Sequence, residues 1–287
     1  MLKQCGLSLL FLLMSAHATA TVIEEVIEVP VSVRNMYGQE VSQRIKVTVF
    51  RDDQRMNAPY LVLNHGRPAN GNLAGMQRQR YSENSRYFVS LGFAVLVPTR
   101  VGYGESGGPD VEDSGRCDSR QYPPAYAAAA DQTIAVLKHV AGYPYVNAAR
   151  GIVVGQSFGG ATAIALSARE VPGMVAAVNF AGGGGGDPVG HPGVPCSAYR
   201  MTAMFRSYGT TAKVPTLWLY SENDQFWGKK LPLEWLAAYT GAGGKGEFVQ
   251  LPPYKEDGHA SFVGNRAAWQ PAFEQFLRKL DFLPASP

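Results

Sequence analysis

Apolar positions fall along this chain in two distinct patterns. Val22–Val33 and Val41–Phe50 are rich in Val and Ile with partial alternation, which predicts an antiparallel hairpin at a sheet edge. The later apolar stretches are short and nearly continuous: Tyr60–Leu63, Ala94–Val97, Ile152–Val154, Val175–Val178, Thr216–Leu219 and Phe248–Val249. Runs of that kind suit strands covered on both faces, as in a parallel sheet. Helical composition fills the gaps, over Ser82–Ser90, Ala125–His139, Phe158–Arg169, Glu234–Tyr239 and Ala267–Leu280. Strand and helix in alternation require crossover connections. The pattern therefore predicts an α/β fold in one domain over residues 21–287, with a mostly parallel, doubly wound sheet behind the N-terminal hairpin.

The first residues follow another logic. Lys3 precedes the apolar run Gly6–Met14, and Ala18-Thr19-Ala20 fits a signal-peptidase site. The run is shorter than the roughly 20 residues that span a bilayer. Cys5 precedes the run rather than following it, which argues against a lipoprotein. Residues 1–20 are thus expected to be a signal peptide cleaved near Ala20. The mature protein would be periplasmic or secreted, with no stable membrane anchor. Cleavage leaves Cys117 and Cys196, a pair expected to form a disulfide in an oxidising compartment. A formal net charge of +3 with no long basic run gives no footprint for nucleic acid. Cysteine and histidine spacings show no metal-ligand pattern, and no cofactor is expected.

Gly155-Gln156-Ser157-Phe158-Gly159 fits G-x-S-x-G and lies between the strand Ile152–Val154 and a small-residue helix. A serine at such a sharp strand-to-helix turn is exposed above the sheet, and only small residues tolerate the close backbone approach. Ser157 is the candidate nucleophile. The backbone N–H of Phe158 would supply one oxyanion donor. The second is expected from Arg67, in the loop Asn64-His65-Gly66-Arg67-Pro68 after an apolar strand, because Pro68 has no N–H. His65 is read as holding that loop by hydrogen bonds. The Arg67 side chain is left open, facing either an anionic substrate or water.

A serine hydroxyl needs a base, and the base needs a carboxylate to orient it. His139 sits inside a predicted helix and His191 in a Gly/Pro loop, whereas His259 lies in Asp257-Gly258-His259-Ala260, after the last strand. His259 is the expected base. Asp224 in Ser221-Glu222-Asn223-Asp224 is the expected acid, with Glu222 and Asp257 as rivals. The intervals between these residues leave no room for a large cap domain. An open cleft is expected, shaped by loops around 103–125, 182–200 and 225–232. Phe226, Trp227, Tyr103 and Phe262 are candidates for its lining or for the core. Two glycine-rich stretches, Gly102–Gly108 and Gly182–Gly186, follow strands, where open α/β sheets place ligand sites. Simple flexible turns are the plainer account of them.

With these landmarks in order, residues 40–280 resemble the α/β-hydrolase superfamily, and within it the dienelactone-hydrolase-like branch. His65-Gly66, the Ser157 motif, Glu222-Asn223-Asp224 and Gly258-His259 carry the resemblance. Pro98-Thr99-Arg100-Val101-Gly102-Tyr103-Gly104-Glu105-Ser106 looks like the family's R-G-x-G-x-S turn with Val101 intervening. Dienelactone hydrolases use a cysteine nucleophile. Ser157 stands at that position here, so the resemblance implies hydrolysis of a small-molecule carboxylic ester through an acyl-enzyme. A serine peptidase or an acyltransferase on the same triad is the alternative, and an inactive binding module on this scaffold is a further one.

Overall fold

The central parallel strands are apolar on both sides because both sides of the sheet are covered there, whereas the edge strand over 246–251 is mostly exposed or half-buried. The structure, a computed structural model, describes residues 21–284. The strands are β1 (Val22–Arg34), β2 (Glu40–Asp52), β3 (Ala58–Asn64), β4 (Ala94–Thr99), β5 (Val146–Gln156), β6 (Met174–Phe180), β7 (Thr216–Ser221) and β8 (Gly246–Leu251). They form one sheet in the order β1-β2-β4-β3-β5-β6-β7-β8. The β1/β2 and β2/β4 pairs are antiparallel. From β4 to β8 every pair is parallel. All of β4 and β7 is buried, whereas the second half of β1 alternates buried and exposed residues. The two sequence patterns are these two environments.

Alternate residues of each central strand enter different cores. Leu61, Leu63, Ile152 and Val154 pack with α1 (Ser82–Ser90) and α7 (Arg266–Lys279), through Phe88, Trp269, Phe273 and Leu277. Tyr60, Val62 and Val153 face the other way, toward α2 (Tyr122–Val140) and α3 (Phe158–Ser167). Every residue of α3 is buried, so its Gly-Gly-Ala-Thr-Ala start lets it lie close against the sheet. Each large apolar side chain taken from water contributes about 1.5–3 kcal/mol. Trp269, fully buried against Phe88, Phe180, Phe262 and Phe273, is among the largest single contributors, and Trp269→Ala would cost about 3–5 kcal/mol.

The expected strands and helices are present, generally with longer bounds. Two helices were not expected: α4 (Ala198–Thr211) and the single turn α6 (Ser261–Gly264). The α4 sequence interleaves helix formers with Thr, Ser, Tyr and Gly209. Its signal was the apolar spacing of Met201, Met204 and Phe205, which pack with α5 (Leu231–Gly241) in a third aromatic-rich core around Trp218, Trp227 and Trp235. No cap domain interrupts the described residues, only loops. The proposed signal peptide lies outside the described residues.

Candidate active site

The turn from β5 to α3 forces Ser157 into a conformation that L residues avoid. Its φ is 57° and ψ is −124°, a strained position that persists only where the surroundings over-determine it. Its N–H donates to Phe180 O (2.9 Å), and its carbonyl accepts from Gly160, Ala161 and Gly183. The flanking glycines are steric requirements. A Cβ on Gly155 would stand 1.9 Å from Gly159 O, and one on Gly159 would stand 2.1 Å from Asn64 O. Ser157 lines a cleft of about 520 Å³. Its Oγ makes no hydrogen bond with the described residues.

The loop after β3 runs directly beside this serine. A Cβ on Gly66 would meet Ser157 Cβ at 3.0 Å, so the loop backbone just before Arg67 lies against the candidate nucleophile. Neither the N–H of Arg67 nor the one of Phe158 donates to an acceptor among the described residues. His65 holds the loop, as expected. It is fully buried, its Nδ1 lies 2.7 Å from Gly66 O, and its Nε2 is 3.2 Å from Arg100 N. Nε2 thus accepts while Nδ1–H donates, which requires the neutral ring. Burial, and then the Arg100 charge, hold its pKa well below the usual histidine value. Arg100 donates to His65 O at 3.0 Å and forms a wholly buried ion pair with Glu112. Tyr103 Oη adds a bond to Glu112 at 2.6 Å. The Arg67 guanidinium faces Asp110 in a two-pronged ion pair (Nη1–Oδ1 2.9 Å), which answers the question its side chain left open. Glu112 N in turn donates to Asp110 Oδ1.

Asp224 and His259 meet at the ends of β7 and β8. Asp224 is 2% exposed; its Oδ2 lies 3.0 Å from His259 Nδ1 and its Oδ1 accepts from Phe226 N (2.8 Å) and Trp227 N (3.2 Å). The rivals do other things. Glu222 is exposed and pairs with Lys229. Asp257 Oδ1 accepts from His259 N (2.9 Å) and Gln225 N (3.0 Å), so it ties the Asp224 loop to the His259 loop. That bracing role was not read from the sequence, although an Asp two residues before the base is its signal. Phe226 stacks on the His259 ring at 3.9 Å and also lines the cleft with Ser157. His259 Nε2 makes no hydrogen bond with the described residues. No hydrogen bond joins Ser157 to His259 among the described residues; bonds between a nucleophile and its base are often long and tighten only in the substrate complex.

Of the four aromatic candidates, Phe226 and Trp227 line the cleft. Tyr103 and Phe262 belong to the interior, the first beside Glu112 and the second against Phe180 and Trp269. The remaining wall comes from the loops holding Glu112–Tyr122 and Gly183–Cys196, together with Arg67–Gly71. The disulfide Cys117–Cys196 joins the first two of these loops. Arg120 lies in the 103–125 loop expected to shape the cleft, whereas the 67–71 stretch was not foreseen as lining. Among the described residues, no group of three or more His, Cys, Asp or Glu is arranged to hold a metal ion, and no helix is long and apolar enough to cross a membrane.

Several known proteins share this architecture. A putative dienelactone hydrolase from Klebsiella pneumoniae superposes with a TM-score of 0.56 at 16% identity, covering 88% of this chain and 97% of its own. An esterase from Pyrococcus furiosus gives 0.53 at 15% identity, over 88% of this chain and 90% of the other. An acetyl xylan esterase from Paenibacillus gives 0.56 at 16% identity, over 92% and 88%. At these identities the likeness is one of fold. No curated protein matches the chain in sequence. The model of the alpha/beta hydrolase family matches residues 61–285, and the chain belongs to that family.

Proposed function

We propose that the protein is an exported serine esterase that cleaves small carboxylic esters through an acyl-enzyme. One observation carries this reading: the Asp224–His259 pair, bonded at 3.0 Å, stands at the same end of the sheet as a serine held at φ 57°. The N–H groups of Phe158 and Arg67 have no acceptor among the described residues. In the proposed reaction His259 Nε2 takes the Ser157 proton as Oγ attacks the ester carbonyl. The resulting oxyanion accepts from Phe158 N–H and Arg67 N–H. The C–O bond to the leaving alcohol then breaks, and His259 returns the proton to that oxygen. Water, deprotonated by the same imidazole, attacks the acyl-enzyme, and the acid leaves as Oγ recovers its proton. Asp224 holds the ring so that Nε2 faces the serine.

Esterase-named structures with this fold support the ester class. The Cys117–Cys196 bridge supports an oxidising compartment, periplasmic or extracellular. The test is turnover of p-nitrophenyl esters beside peptide amides by wild type and Ser157→Ala. Ester cleavage lost in the variant is expected. Full activity in Ser157→Ala, or cleavage of amides alone, contradicts the reading.

A further inference from the structure

The run Gly182–Gly186 is neither a slack turn nor part of the machinery just described. Its carbonyls are committed to the protein. Gly182 O accepts from Tyr220 Oη (2.6 Å), Gly183 O from Tyr126 Oη (2.8 Å) and Gly185 O from Cys196 N (2.8 Å), while Gly184 O lies 3.1 Å from Tyr122 Oη, whose one proton it shares with the nearer Cys196 O. The amides are not. Gly183 N donates to Ser157 O at 3.3 Å, whereas the N–H groups of Gly184, Gly185 and Gly186 donate to no acceptor among the described residues. All three residues line the cleft that Ser157 lines.

Side chains are excluded here by the aromatic wall behind the loop. A Cβ on Gly184 would stand 2.6 Å from Tyr126 Oη, on Gly185 2.3 Å from Tyr122 Oη, and on Gly186 2.7 Å from Phe226 Cδ1. Gly185 also has φ +77°. The result is bare backbone pressed against tyrosine hydroxyls, with its donors left over. Arg120 borders the same cleft. It makes no ion pair among the described residues; its Nη1 reaches Ser114 Oγ at 3.2 Å, and its buried Nε has no partner.

Gly184 is buried, Gly185 and Gly186 are half-buried, and donors that lack protein acceptors in such a place are satisfied by a ligand or by water. We propose that Gly184–Gly186 and Arg120 form a substrate subsite that takes a carboxylate remote from the scissile ester, through the three backbone N–H groups and the guanidinium. The preferred substrates would then be half-esters of dicarboxylic acids. This rests on the reading of Ser157 as nucleophile for its orientation, but the binding itself does not.

The experiment compares monomethyl succinate, glutarate and adipate with their dimethyl esters and with methyl alkanoates of matched length. In wild type the best half-ester should exceed its alkanoate about tenfold in kcat/KM, chiefly through KM, with the diester between them. Arg120→Gln should bring the half-ester down to the diester. Gly185→Ala should lower both oxygen-ended classes relative to the alkanoate. Equal or better turnover of alkanoates overturns the subsite. Calorimetric titration of Ser157→Ala with the half-ester and the alkanoate reads binding alone, and equal affinity also overturns it. If p-nitrophenyl butyrate is hydrolysed without any half-ester preference, only the subsite fails. If no ester is turned over but Ser157→Ala still binds the half-ester more tightly, the subsite stands and the esterase reading fails.

Discussion

The two sides of the cleft are built on opposite principles. One side hangs on the sheet: Ser157 at the end of β5, Asp224 after β7 and His259 after β8. Its residues are held by strand ends and by short bonds to neighbouring backbone. The other side consists of loops, 101–121 and 182–197, held by a disulfide, a buried Arg100–Glu112 pair and tyrosine hydroxyls on glycine carbonyls. The sheet side carries the candidate catalytic side chains. The loop side is shaped for fit and owes its form to contacts distant in sequence. Damage to the first should therefore appear in kcat with stability intact, and damage to the second in KM and in stability.

The sharpest separation is expected from Ser157→Ala. Ester turnover should fall on the order of 10⁴-fold or more, while the thermal midpoint should hardly move, because the side chain makes no hydrogen bond with the described residues. Asp224→Asn comes next, with kcat reduced on the order of 10³- to 10⁴-fold, since the wrong tautomer of His259 is then held. A parallel loss of stability there would blur the comparison. On the loop side, Cys117→Ser with Cys196→Ser should cost about 2–4 kcal/mol in denaturant unfolding, with KM raised more than kcat is lowered. A kcat loss at unchanged KM would break the contrast.

The smallest effect concerns pH. The folded protein keeps His65 neutral to well below its ordinary pKa, whereas the unfolded chain protonates it near pH 6.5. Below that pH the unfolded state binds the extra proton. The stability contributed by neutral His65 is therefore full above about pH 6.5 and lost as the pH falls, by up to about 1.4 kcal/mol per unit. Thermal unfolding between pH 7.5 and 5.5 should show this slope in wild type and a flatter one in His65→Gln.

The same contrast explains what the amino-acid sequence disclosed. The sheet side was legible because its constraints are local: a serine between glycines after an apolar strand, a His-Gly after another, and an acid and a histidine past the last two. The central parallel strands announced themselves by continuous apolarity, since both faces are covered there. Helix α4 was missed because its propensity is mixed and only the Met201/Met204/Phe205 spacing marks it. Tyr103 and Phe262 could not be assigned to core or cleft, because an aromatic residue on a loop looks the same in either place. The Arg67–Asp110 clamp, the Asp257 brace and the placement of Arg120 join residues that lie far apart along the chain or carry no motif. In Gly182–Gly186 composition suggested slackness, yet the tyrosines that fix its carbonyls come from α2 and β7.

The central claim is that Ser157 is a nucleophile activated by His259. It is tested most directly by treating the purified protein with a fluorophosphonate and mapping the adduct by peptide mass spectrometry. The account predicts one adduct, on the peptide carrying Ser157, formed rapidly in wild type and very slowly in His259→Ala. An unlabelled wild-type protein, or a label on another residue, would contradict it.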